Sequence, residues 1–192
     1  MRCVGIPQRH RSQGRMHQGM TRRILGIDYD TYQITVVELD LDDHAYFASF
    51  VAGDPTKRSA STKKIEVKKA DERFYDLHRA FDLLVRTRHG GQGAGDIVFA
   101  YVEEPVAVPA GVNTTIRQSA VWGAIRLVLR QWNIRCVSVN VSTWKKEALL
   151  NGHATKDEIK DWAVAVFGLS KDLTQDVYDA AAIAAAARKV MS

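Results

Sequence analysis

The stretch DVYDAAAIA, residues 176–184, decides the fold. Asp176 and Asp179 stand three positions apart, so a helix puts them on one face. The alanines that follow let such a helix press close against its neighbours. Working outward, two apolar segments also stop on acids: ILGID at 24–28 and IVFAYVEE at 97–104. Both read as strands. A buried strand has no packing reason to end on Asp or Glu, and desolvating an unpaired carboxylate costs several kcal/mol. Acids converging from three separate elements therefore call for a positive partner. Hard, oxygen-seeking divalent ions answer that need, magnesium above all.

Composition sets the frame around these segments. The chain has 192 residues, enough for one domain with a sizeable core, and 46% of them are hydrophobic. No apolar run approaches the roughly 20 residues that span a bilayer. A formal net charge of +5 suits a surface that meets phosphates while an acid cluster holds metal. The two cysteines, Cys3 and Cys136, make neither a disulfide framework nor a zinc site, and Cys136 within IRCVSVNV reads as a core residue. Cytoplasmic chemistry is the expectation. Residues 1–21 are rich in Arg, Gln, Gly and His with no apolar period. They read as a disordered basic extension, or alternatively as an arm that touches DNA, and the folded domain is expected over 22–192.

Three strands open that domain: RILGIDY, QITVVELDL and HAYFASFVA. Residues 53–70 read as a basic loop or exposed edge, with a short strand possible at 65–67. Residues 71–88 predict an amphipathic helix with Phe74, Leu77, Phe81, Leu84 and Val85 inward. HGGQGAGD reads as a connection, since it lacks the strand-before, helix-after setting of a dinucleotide loop. After the strand at 97–103, a second helix over 114–132 turns Ile116, Val121, Ile125, Val128 and Trp132 inward, with Gly123 expected to bring it close to the sheet. IRCVSVNV is a further strand. Thr155 and Glu158 form a capping box for a helix burying Ile159, Trp162, Ala163 and Val166, which Gly168 ends. Thr174 is placed to cap the last helix, 175–190. The order β-β-β-α-β-α-β-α-α predicts an α/β fold, a mixed five-stranded sheet with three antiparallel strands followed by parallel βα units.

The three acid-ended segments, in this order, resemble the RuvC-like Holliday junction resolvases of the ribonuclease H-like superfamily, particularly divergent phage-type members. The likeness spans roughly residues 22–190 and rests most on DVYDAAAIA. It implies that Asp28, Asp176 and Asp179 are catalytic metal ligands, with Asp28 bridging two Mg2+ ions and Mn2+ as the substitute ion. The fourth ligand is Glu103 or Glu104. A strand followed at once by Glu favours Glu103, whereas counting back from Gly123 favours Glu104. Strand alternation puts the two on opposite faces, and Glu103 is the preferred reading. Lys145 and Lys156 match two family lysines in their interval, and with Lys146 are expected to meet DNA; as plain surface lysines they would need no such role.

Two departures stand out. Asp30 occupies a position where the family usually has Gly, as a surface acid or an outer metal group. Pro105, Val106 and Ala107 replace an aromatic wedge that some members carry. His153 is the one histidine placed to take part, and otherwise a loop residue. The resemblance implies a homodimer acting in DNA recombination or repair, in the host cytoplasm if phage-encoded. It would make paired nicks in four-way or other branched DNA by two-metal hydrolysis. Trp122 and Trp132 mark the helix at 114–132 as the expected dimer surface, or else belong to the core. Rival readings are a ribonuclease H-like nuclease for flaps or RNA–DNA hybrids, a YqgF-like RNA-processing enzyme, and a non-catalytic junction-binding protein.

Overall fold

In a computed structural model, which describes residues 22–41, 47–53, 67–89, 97–105 and 112–191, the apolar segments assemble into one mixed sheet. Its strands are β1 (Arg23–Tyr29), β2 (Gln33–Asp40), β3 (Phe47–Gly53), β4 (Ile97–Glu103) and β5 (Arg135–Val139), in the order β3-β2-β1-β4-β5. The first three pair antiparallel, and β4 and β5 run parallel to β1. Helices α1 (Val67–Arg88) and α2 (Val112–Gln131) cover one face; α3 (Val141–Leu149), α4 (Lys156–Phe167) and α5 (Gln175–Met191) belong to the other. Residues 1–21 and 54–66, on which the basic extension and most of the basic loop were expected, lie outside the described residues.

Strand alternation sorts the core into two clusters. Ile24, Phe99 and Tyr101 point toward α5, while Leu25, Ile27, Ala100 and Val102 point toward α1 and α2. Helix α5 packs on β1, β2 and β4 and also meets α3 and α4, so it is enclosed on both sides. Residues 180–187 are all buried. A helix buried all round must be apolar all round, and alanine makes it thin enough to fit. Gly26 provides the matching gap on the sheet: a Cβ there would overlap the Ala180 carbonyl oxygen and the Ala184 amide, and would sit 2.7 Å from the Ala184 Cα.

Several expectations need correction. Gly123 is exposed, with nothing within 4 Å of where its Cβ would be, so Gly26 is the glycine that permits close approach. Ile116 is 60% exposed and Phe74 is also exposed, because each lies beyond the stretch of its helix that reaches a core cluster, while Val166 is 51% exposed although the adjacent Phe167 packs on the core, so it stands on the outer side of α4. The first helix begins at Val67, inside the region expected to be loop. The strand expected to run to Val141 stops at Val139. Asn140 instead caps a helix absent from the sequence reading, accepting the Ser142 amide at 3.0 Å. The capping box at Thr155 and Glu158 is present, as is the left-handed Gly168 cap (φ 64°). Asp30 shapes the β1–β2 turn: its carboxylate accepts the amides of Tyr32 at 2.6 Å and Gln33 at 2.8 Å.

At the start of β1, on the α1 side, Glu38 is buried between two arginines. Arg23 donates to its Oε1, and Arg88 donates to Oε2 at 2.9 Å and to Oε1 at 3.1 Å. Arg23 also reaches the Arg88 carbonyl at 3.4 Å. Here two guanidiniums neutralise one carboxylate.

Candidate metal centre

The acid site forms where the parallel strands end. Asp28 follows Ile24 and Gly26 on the face of β1 that carries α5, and Glu103 follows Phe99 and Tyr101 on the same face of β4. Strands β1 and β4 are neighbours in register, Ile27 lying beside Val102, so the two acids stand side by side at the sheet's end. Helix α5 begins above them and supplies Asp176 and Asp179 from its first turns. Because α5 rests on Gly26, only two residues before Asp28, the seam of small residues sets the separation of the acids.

The electrostatics report the convergence. Burial raises the Asp28 carboxyl well above the usual range, and the charges of Glu103, Asp179 and Asp176 push it the same way; only the Tyr29 backbone N–H opposes them. Among the described residues no positive charge offsets Asp28. Burial also raises Glu103, against the Trp144 indole hydrogen bond and the Lys145 charge, while Asp179 adds to the rise. Asp179 is raised by burial and Asp176, with Gln175, Lys156 and Lys145 acting to lower it.

Neutral donors hold the other carboxyls in place. Trp144 Nε1 donates to Glu103 Oε2 at 2.9 Å, Gln175 Nε2 to Asp179 Oδ1 at 2.9 Å, and Gln33 Nε2 to Asp176 Oδ2. Sequence reasoning missed Gln33 and Trp144. Gln33 is a buried amide opening a strand whose eight residues are all buried, which is a signal in itself. Trp144 belongs to the unforeseen α3, where it is 1% exposed.

Glu104 faces away from this group. It is exposed, its N–H donates to the Val139 carbonyl at 2.9 Å, and its charge acts on Tyr29 across the sheet from Asp28. Lys145 lies close enough to influence Glu103 and Asp179, although its Nζ donates to the Ala154 carbonyl at 2.7 Å. Lys156, exposed at the start of α4, influences Asp179. Lys146 and His153 are exposed, and the structure joins neither to the acids. Trp132 is half-buried: its indole N–H donates to Asp82 Oδ1 at 3.0 Å, and its ring meets His89 edge-on. Trp122 is half-buried against the α1–α2 cluster.

Among the described residues, no three Asp, Glu, His or Cys side chains are drawn together tightly enough to chelate an ion as they stand. The donor set still fits a hard divalent cation: all ligands are oxygens, they come from β1, β4 and α5, and the central one is buried with no compensating charge among the described residues.

No family model matches the sequence, and no curated protein matches it. Solved structures do. The chain is similar to Thermus thermophilus RuvC at 18% identity and TM-score 0.61, covering 85% of this chain and 92% of that one. It is also similar to T. thermophilus RuvC in complex with a Holliday junction substrate, at 17% identity and TM-score 0.65, covering 85% and 91% of the two chains. The fold is therefore RuvC-like. Among the described residues no helix is long and apolar enough to cross a membrane.

Proposed function

We propose that the protein is a metal-dependent endonuclease that resolves Holliday junctions or related branched DNA by paired nicks. The observation that carries this reading is Asp28: a buried carboxyl pressed by three others, with no positive charge among the described residues set against it. Evolution of a stable core gives no reason to build such a group. Holding cations does.

Asp28, Glu103, Asp176 and Asp179 would hold two Mg2+ ions, with Mn2+ as a substitute. Bound there, the ions would supply an activated water and charge neutralisation at the leaving 3′-oxygen. The chain's own part is positional. Gln33, Gln175 and Trp144 orient three of the carboxyls, as outer-shell donors orient metal ligands generally. Lys145 and Lys156 flank the acids and would meet the phosphate of the strand being cut; Lys146, exposed beside them, would meet the backbone further along. The RuvC neighbour solved with a Holliday junction substrate supports branched DNA as the ligand. Two-fold symmetry of a junction and the need for two nicks suit a homodimer.

Purified protein incubated with magnesium and a mobile four-way junction, beside flap and RNA–DNA hybrid controls, tests this directly. Symmetric nicks in the junction strands are expected. Cleavage of flaps or hybrids in preference to junctions would transfer the reading to another ribonuclease H-like nuclease.

A further inference from the structure

Three of the four acids have a neutral side-chain donor: Trp144 for Glu103, Gln175 for Asp179 and Gln33 for Asp176. Among the described residues Asp28 has none, and receives only the Tyr29 backbone N–H. Its neighbour on β2 is Thr35, directly opposite in the antiparallel register. Opposed residues of such a pair point to the same face. Thr35 therefore shares the α5 side of the sheet with Asp28, and with Gln33 two residues earlier, whose amide reaches α5. The strand order puts Glu103 on the other flank of Asp28. Thr35 is fully buried, at 0% exposure, and its hydroxyl has no hydrogen-bond partner among the described residues. A buried hydroxyl without an acceptor is uncommon and costs free energy. Packing alone does not call for one here. Ile34, Val36 and Val37 show that β2 buries β-branched apolar residues readily, and valine would fill the same space.

We propose that Thr35 is a positioning residue for Asp28, its hydroxyl donating to the Asp28 carboxylate when the site holds cations. The inference rests on the metal-centre reading above and deepens it. Directly opposed residues keep their Cβ atoms about 4.5–5.5 Å apart. A hydroxyl bonded to one Cβ and a carboxylate one bond beyond the other come within hydrogen-bond distance by side-chain rotation alone. The hydroxyl supplies a donor and an ionised carboxylate only accepts, so the pair is chemically matched. A donor on the β2 side would hold one Asp28 oxygen on the flank away from Glu103. The remaining lone pairs would then be turned toward Glu103, Asp176 and Asp179. Carboxylates that ligate metals are generally hydrogen-bonded in this way. Thr35 touches neither substrate nor ion; it acts through Asp28.

The test titrates magnesium chloride into wild-type full-length protein, Thr35→Val and Thr35→Ser by isothermal calorimetry, and records each melting temperature without metal. Thr35→Val keeps the shape and removes the donor, so magnesium affinity should fall about 10- to 100-fold. Its metal-free melting temperature should match or exceed that of wild type, because a buried hydroxyl without a partner is gone. Affinity and stability then move apart, which a contact that merely supports the fold would not produce. Thr35→Ser keeps the donor and should bind magnesium within about threefold of wild type. Nicking of a four-way junction should follow the same ranking, with the Val variant needing more magnesium to reach half its maximal rate. Unchanged magnesium affinity in Thr35→Val would overturn the positioning role and leave the metal centre intact. A metal-free melting temperature lowered by the Val substitution would overturn it too, by giving the hydroxyl a partner in the resting fold. Wild-type protein that binds no magnesium would overturn both readings.

Discussion

Around Glu38 two guanidiniums close on a single carboxylate, whereas around Asp28 three more carboxyls gather and, among the described residues, no positive charge offsets the central one. Both groups are buried at strand ends, on opposite faces and at opposite ends of β1. The first resembles ordinary structural economy, in which charge enters the interior only with its partner. The second leaves a cost standing, and a cost left standing in a folded chain points to a ligand that removes it. Comparing the two separates a charge cluster that maintains the fold from one that serves function.

The largest expected effect falls on the unpaired end. Asp28→Asn should lower junction cleavage by on the order of a thousandfold or more, about 4 kcal/mol of transition-state stabilisation. Its metal-free form should melt higher than wild type at neutral pH, because a buried charge is gone. Nicking assays and thermal melting read the two effects, and undiminished cleavage would sink the metal-centre reading. At the paired end Glu38→Ala should do the reverse. Leaving Arg23 and Arg88 facing each other should destabilise the protein by about 3–5 kcal/mol, measured by urea unfolding, with cleavage per folded molecule retained.

Smaller effects sharpen the boundary between the ends. Gln33→Ala frees Asp176 from its amide and should weaken magnesium binding by about 10- to 100-fold, as outer-shell losses do; isothermal titration measures it. The pH dependence of the metal-free protein tests the same site. Asp28, Glu103 and Asp179 all have carboxyls raised in the folded state. Their contribution to stability is fully present below the ordinary carboxylate pKa of about 4 and is lost as pH climbs through the raised values. Metal-free melting temperature should therefore fall as pH rises above the ordinary carboxylate range, and magnesium should restore most where the acids are ionised. A melting temperature that rises over this window would mean that something already neutralises the acids. The smallest effect belongs to Glu104→Gln, which should change cleavage by less than about threefold while Glu103→Gln cripples it, since only the latter shares a face with Asp28.

The residues differ in how much they disclosed. DVYDAAAIA, ILGID and YVEE are legible because an acid at the end of an apolar run violates burial rules locally, and a local violation is visible in one dimension. The capping box at Thr155 is legible for the same reason. Gln33, Trp144 and Gly26 are not, because each matters through a partner far along the chain: Asp176, Glu103 and the α5 backbone. Helix α3 escaped notice since its residues follow a strand without a break, Asn140 alone marking the change. Ile116 and Phe74 show the opposite error. Helical spacing says which side of a helix is apolar, but not how far along it the core extends.

The contact of α5 with Gly26 has a mechanical consequence. Side chains between packed elements act as a compliant layer, able to hop rotamers and absorb strain, and at this seam that layer is missing. Backbone bears on backbone, so the jaw formed by Asp28 and Asp179 is stiff. The lysines sit on α3 and α4, which reach the sheet only through side-chain packing and through α5. If a DNA strand must be gripped after it arrives, the giving way falls to the α3–α4 side, and the acid side serves as the anvil.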